Sequence, residues 1–389
     1  MPSDGDRPLF ATYPIGSLPR PQWVRDLIVD RNEGRIDRDE ADHVLDDAVP
    51  LAIRLQERAG MDFVSDGEWR RTHYARVFTE AVAGFQPNLV PNAGKKIAER
   101  HAAPARTSDP GVVTPLERQR AIATEDARFL QEHAHARTLV ALPSPHTLAR
   151  RMWSKRHSVD AYPTPESFMD AILPIIRAEI EALLALGVDS IQLDNPWPPV
   201  IIDASLDQTD HPTPDSWASQ GRGIAEDLDE EAALVVKCIN GATEGLPPER
   251  LAMHICHTRG HTTRASYDAI IGVLAQMNIS RFALEFATPN DHVTEALERF
   301  PEDRVLGLGV VHPFSTHVET AEEVAAIAER AMQFVPKERI TLNPNCGFGP
   351  GVGSARKPKS GNIPVEMDEA YLKLRGMCEG AALLRQRYA

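Results

Sequence analysis

His254 and Cys256 stand two residues apart in a short apolar run, so on an extended strand their imidazole and thiol project to the same side and can grip one ion. Glu285, in a neighbouring apolar run, adds a carboxylate, and Cys346, followed by Gly347, adds a second thiol. One His, two Cys and one carboxylate make a tetrahedral zinc set, because thiolates favour zinc over magnesium or calcium. Two thiolates and a carboxylate also leave such a site electron-rich. The remaining cysteines, Cys238 and Cys378, fall in helical patterns and read as small buried apolar residues.

Ligands so far apart in the chain need a scaffold that brings them together. Eight short β-rich apolar runs, at 12–15, 62–65, 138–142, 190–193, 252–256, 282–286, 305–311 and 340–342, alternate with longer helical patterns such as 39–59, 165–186, 223–240, 321–334 and 367–387. Strand-helix alternation of this kind predicts a parallel sheet, and eight repeats predict closure into a (β/α)₈ TIM barrel spanning residues 1–389. The spacing breaks at about 85–137, read as an insertion after the second strand-helix unit. Residues 203–221 and 347–362 read as long strand-to-helix loops, which in compact proteins are usually functional or mobile.

In a barrel the carboxyl ends of all strands meet on one face, where active sites of this fold are built. Gly16 and Ser17 end the first predicted strand, Asp66, Gly67 and Glu68 the second, Ser144 the third and Asp194 the fourth. His254 and Cys256 end the fifth, Glu285 lies in the sixth, His312 follows the seventh and Cys346 follows the eighth. Chemistry-bearing side chains are thus aimed at one place from all eight strands.

Composition agrees with a large globular core: 42% of the 389 residues are hydrophobic and 25% charged. A net charge of -14 with no strong basic run argues against nucleic acid or an anionic membrane as partner. With no apolar run long enough to span a bilayer and no basic-then-apolar start, the expected location is the cytoplasm. Four scattered cysteines make no disulfide framework. The sequence is compatible with a monomer or a homo-oligomer.

The segments Ile15-Gly16-Ser17, Asp66-Gly67-Glu68, Ile191-Gln192-Leu193-Asp194, His254-Ile255-Cys256, Leu284-Glu285 and Asn343-Pro344-Asn345-Cys346-Gly347 resemble, in order, the motifs of the catalytic barrel of cobalamin-independent methionine synthases. The resemblance covers nearly the whole chain. It implies zinc at His254, Cys256, Glu285 and Cys346, and a substrate thiol that joins the metal as thiolate. It further implies that Glu68 and Asp194 bind the ammonium of homocysteine while Ile15, Gly16 and Ser17 contact the amino acid. A free thiol is mostly protonated at neutral pH, so coordination is what would make the nucleophile available.

The chain departs from that family in four respects. It has room for one barrel where the full-length enzymes have two. The family's catalytic histidine aligns near Phe314, which leaves His312 either as a replacement general acid or as a hydrogen-bonded loop residue. The family's Asp-Glu-Pro reads Asp194-Asn195-Pro196, and the folate segment is matched only loosely by residues 144–153. The expected function is therefore methyl transfer to homocysteine from methyltetrahydrofolate or another small donor. The alternative is thiol addition to an epoxide, as in epoxyalkane:coenzyme M transferases, whose sulfonate substrate would favour arginines such as Arg70 and Arg71. A metal-free decarboxylase of the uroporphyrinogen type is disfavoured by His254, Cys256 and Cys346, and a nonenzymatic zinc protein is the remaining reading.

Overall fold

A computed structural model of the chain describes residues 7–91, 108–196, 228–256, 264–287, 291–349 and 367–389. The expected loop at 203–221, most of that at 347–362 and part of the expected insertion lie outside the described residues.

Seven strands form one curled parallel sheet in the order β1 (Phe63–Val64), β4 (Arg137–Pro143), β5 (Ser190–Asp194), β6 (Leu251–His254), β7 (Arg281–Glu285), β8 (Val305–Val311) and β9 (Ile340–Pro344). The remaining stave is the segment around Thr12, which makes a parallel bridge with Leu342. On one side Tyr13 N donates to Leu342 O at 2.8 Å, and on the other Phe63 N donates to Thr12 O at 3.1 Å. Those bonds join β9 to β1 and close the barrel. A side-chain device reinforces the seam: Asp62 Oδ2 accepts from Thr12 N, from Thr12 Oγ1 and from Arg385 Nη2 at 2.7–2.9 Å. The same device recurs between Thr138 and Asp189, whose Oδ2 accepts from Thr138 N at 2.8 Å. An aspartate just before one strand thus satisfies the opening amide of its neighbour and sets their register.

Helices enclose the sheet, among them α1 (Gln22–Asn32), α2 (Arg38–Ala59), α3 (Arg76–Ala81), α4 (Thr124–His133), α5 (Pro145–Met152), α6 (Pro165–Leu186), α7 (Leu228–Thr243), α8 (Arg264–Leu274), α9 (Ala321–Ala331) and α10 (Met367–Tyr388). Their ends follow local chemistry. Asp37 caps α2 by accepting from Asp39 N, and Thr164 and Thr320 open α6 and α9 with reciprocal capping boxes. The main core lies between sheet and helices. A second, small cluster of Ala11, Tyr13, Phe63, Leu139 and Ala141 packs separately, with the Tyr13 and Phe63 rings stacked at 3.9 Å and the Arg281 guanidinium 4.0 Å from the Tyr13 ring centroid. Two apolar layers on opposite faces of a sheet are what closure demands. No helix among the described residues is long and apolar enough to cross a membrane.

Three expectations are revised. The first expected strand is reduced to a bridge at Thr12, and β6 ends at His254, so Cys256 lies just beyond the strand and not within it. Between α3 and α4 the chain forms an antiparallel ribbon of β2 (Val82–Pro91) and β3 (Ser108–Arg118), beginning slightly before residue 85. The sequence there carries no clean alternation, because bulges shift the register between Ala83 and Phe85 and again between Gln86 and Val90.

Candidate metal centre and adjoining carboxylates

Parallel pairing sets the first contact. Asp194 is in register with His254 across β5 and β6, and its Oδ1 lies 3.3 Å from His254 Nδ1. The loop leaving β9 reaches the same point from the other side of the barrel, with Asn345 O 3.3 Å from His254 Nε2 and Cys346 Sγ 3.6 Å from Cys256 Sγ. The ligand atoms of His254, Cys256 and Cys346 all lie within 4.8 Å of one another. An imidazole and two thiols at that separation, with a carboxylate orienting the imidazole, are a donor set that fits zinc.

Asn345 anchors the β9 loop. Its side-chain oxygen accepts from Phe286 N and Ala287 N at 3.2 and 3.0 Å, its Nδ2 donates to Ala287 O at 3.2 Å, and its own amide donates to Val311 O at 2.8 Å. The loop bearing Cys346 is thereby tied to the ends of β7 and β8. Glu285, also at the end of β7, is buried, and the Tyr267 hydroxyl from α8 bonds both its amide, at 2.6 Å, and its carbonyl, at 3.2 Å. Its carboxylate is not in the group gathered within 4.8 Å. The structure thus brings together three of the four expected ligands.

Burial would weaken the His254 imidazolium, but hydrogen bonds with Asp194 and Cys346 raise it well above the usual histidine range. Cys346 is held below the ordinary thiol range by its hydrogen bond with Cys256 and by His254, against the effect of burial. Both shifts favour an imidazolium beside a thiolate in the metal-free site, so a metal that took both as ligands would displace the imidazolium proton. Cys378 is the opposite case, its thiol pushed up to about 12 by burial. We expect iodoacetamide at pH 6.5 to label Cys346 of the metal-free protein first and Cys378 far more slowly, since the thiolate is the reactive form. Peptide mapping that finds Cys378 modified as fast as Cys346 would contradict this account of the site.

The expected substrate residues adjoin this cluster. Gln192 Nε2 bridges Ile15 O, at 2.7 Å, and Asp194 Oδ1, at 3.0 Å. Ser65 Oγ holds Gly16 O at 2.7 Å, while Ser17 O accepts from Phe348 N at 2.9 Å, joining the first loop to the one bearing Cys346. Gly16 faces the Glu68 carboxylate so closely that a Cβ there would sit 2.7 Å from Glu68 Oε1. Only glycine leaves that carboxylate in place.

Glu68 itself adopts a left-handed backbone with φ of 57°, directly after Gly67 at 66°. A non-glycine residue persists there only when its surroundings over-determine it. Here Asp66 Oδ1 accepts from Glu68 N at 2.9 Å, and the buried Arg20 guanidinium donates to the carbonyls of Glu68 and Arg71. Burial pushes the Glu68 carboxyl up to about 7; Arg71 and Arg20 oppose this, while Asp194 and Asp66 add to it. A cationic group arriving between Glu68 and Asp194 would relieve that strain.

His312 follows β8. Its amide donates to Glu319 Oε1 at 2.7 Å and its Nδ1 accepts from Phe314 N at 3.2 Å, so the neutral ring carries its proton on Nε2. Burial lowers its pKa, with Glu319 acting in the opposite sense. The polar groups around Asn195 are occupied with one another: Asn195 Oδ1 is within 3.1 Å of Ser144 Oγ, His146 Nδ1 and Thr147 Oγ1, and His146 Nε2 is 2.6 Å from Glu231 Oε1. Sequence reasoning assigned no role to Gln192, Asn345 or Arg20, although the first two lie inside quoted motifs. Cys238 is buried in α7 and Cys378 sits beside Met61, both away from the cluster as expected.

A profile of the family described as "Cobalamin-independent synthase, Catalytic domain" matches residues 10–238 and 249–356. The chain is 27% identical to a methionine synthase of Thermococcus kodakarensis over 98% of its own length and 95% of that protein's. To a methionine synthase of Saccharolobus solfataricus it is 25% identical, over 97% and 96%. Among solved structures it resembles that of a B12-independent methionine synthase from a Shewanella species in complex with selenomethionine. The TM-score there is 0.71 at 25% identity, covering 97% of this chain and 98% of that one.

Proposed function

Because the chain belongs to the family of cobalamin-independent synthase catalytic domains, we propose that it is a zinc-dependent S-methyltransferase. On this reading it moves a methyl group from methyltetrahydrofolate or another small donor to the sulfur of homocysteine, forming methionine. The observation that carries the reading is the juxtaposition of a His-Cys-Cys cluster with the buried carboxylates of Glu68 and Asp194, linked through Asp194.

Zinc held by His254, Cys256 and Cys346, with Glu285 as a further ligand that can yield its place, would supply the Lewis acidity that keeps a substrate thiol deprotonated near neutral pH. The chain's own groups would do the rest. Asp194 orients the His254 ring through Nδ1 and, with Glu68, takes the substrate ammonium. The backbone of Ile15, Gly16 and Ser17 lines the amino acid's path, steadied by Gln192 and Ser65. His312, whose neutral ring carries its proton on Nε2, would offer that N–H as a hydrogen bond to the charge that builds on the departing donor, since giving the proton up would leave an imidazolate.

The epoxide-opening alternative needs guanidinium groups turned to a sulfonate. Arg70 instead pairs with Asp46 and lies over the Phe129 ring at 4.6 Å, and Arg71 donates to Ala141 O at 2.7 Å and faces Glu68. Both are engaged by the protein, which favours an ammonium-bearing thiol over a sulfonated one. The test is a screen of thiols against methyl and epoxide donors on zinc-loaded protein, with products read by mass. Methylated homocysteine is the expected product. Zinc-loaded protein that alkylates no thiol with any donor would overturn the proposal.

A further inference from the structure

The loop between β8 and α9 is fastened by a buried ion pair that the chemistry above does not use. Lys373, on α10, is fully buried; its Nζ lies 2.9 Å from Glu319 Oε2 and donates to His317 O. The other oxygen of the same carboxylate accepts the His312 amide at 2.7 Å. One carboxylate therefore connects the last helix to the first residue after β8. The helix comes exceptionally near, for at Gly376 any Cβ would collide with Glu319 O. Burying a lysine and a glutamate carries a desolvation penalty that an apolar pair of similar volume would avoid. What the ionic pair adds is direction: it holds the two ends of a turn whose inner bond, Phe314 N to His312 Nδ1, sets the imidazole.

We infer that Lys373 and Glu319 are positioning residues that hold the His312 imidazole in its working orientation from the C-terminal helix. The inference rests on the reading of His312 as the residue that presents its Nε2–H to the departing donor. Of the charged groups that act on the His312 ring, Glu319 favours its charged form and Lys373 opposes it, with Cys346 acting in the same sense as Glu319.

A double-mutant cycle tests this on zinc-loaded full-length protein. Lys373→Met should lower kcat by about tenfold or more with the thiol KM and bound zinc unchanged, whereas in a His312→Ala background the same change should cost less than about twofold. Glu319→Gln keeps an acceptor for the His312 amide and should give a smaller loss of kcat, again only when His312 is present. It also covers the case in which Lys373→Met fails to fold. As a readout apart from activity, amide exchange at His312 should quicken by about tenfold or more in Lys373→Met. Equal losses in both backgrounds, or losses that fall on KM or zinc content, would make the pair merely structural and overturn the inference while leaving His312 in its role. If His312→Ala leaves kcat unchanged, the reading of His312 falls, and the inference with it.

Discussion

Replacing Cys346 or Cys256 by serine is expected to cost the protein most of its zinc and essentially all of its thiol alkylation. The two sulfurs stand 3.6 Å apart, and His254 completes a group within 4.8 Å. Removing one thiolate takes away both a strong soft ligand and the charge that offsets the metal, and serine's hydroxyl is a far poorer donor at neutral pH. Changes to groups that only orient a ligand typically weaken metal binding by roughly 10–100-fold, so losing a direct ligand should cost about 100-fold or more. Metal content after dialysis against a competing chelator is the measurement, with Cys378→Ser as the control that should keep its zinc. Full occupancy in both Cys346→Ser and Cys256→Ser would refute the metal assignment.

The second large effect concerns the choice of thiol. If the ammonium of homocysteine sits between Glu68 and Asp194, removing one carboxylate leaves a buried cation poorly paired. That costs roughly 2–5 kcal/mol, or at least about thirtyfold in kcat/KM. Asp194→Asn is not a clean probe, because Asp194 also bonds the His254 ring at 3.3 Å and its loss should disturb the metal as well. Glu68→Gln is cleaner: Arg71 and Gly16 face its carboxylate, and the metal cluster does not include it. With one fixed donor, Glu68→Gln should lose that factor for homocysteine and change little for mercaptoethanesulfonate, which has no ammonium. Asp194→Asn should lose activity with both thiols, and more with homocysteine. Equal losses for the two thiols in Glu68→Gln would mean that Glu68 supports the loop and does not read the substrate, removing the main support for an amino-acid thiol.

The alternation of strands and helices was legible along the chain because hydrophobic period is a local property, and a parallel barrel turns that local order into geometry. Once eight strands run parallel, their carboxyl ends must share one face. His254, Cys256 and Cys346 could therefore be grouped from residue type and strand position alone. The strand ends were less legible. Cys256 lies beyond β6, and the first stave is a single bridge at Thr12, because both depend on which neighbour supplies the hydrogen bonds.

What only the tertiary structure decided is how the chemical groups are held. Asn345 clamping β7, Gln192 spanning Ile15 and Asp194, Arg20 locking the left-handed turn at Glu68, and Lys373 reaching the His312 loop through Glu319 are all long-range contacts. Ser17 and Gly349, which join the first loop to the last, are 332 positions apart. No local pattern marks such residues, since a buried Lys or Asn has the same sequence signature as a solvated one until its partners close around it. The carboxylate of Glu285 makes the same point in reverse. Residue type and strand position grouped it with the metal ligands, but how near a side chain comes to the cluster is set by its rotamer and packing, which strand periodicity does not encode.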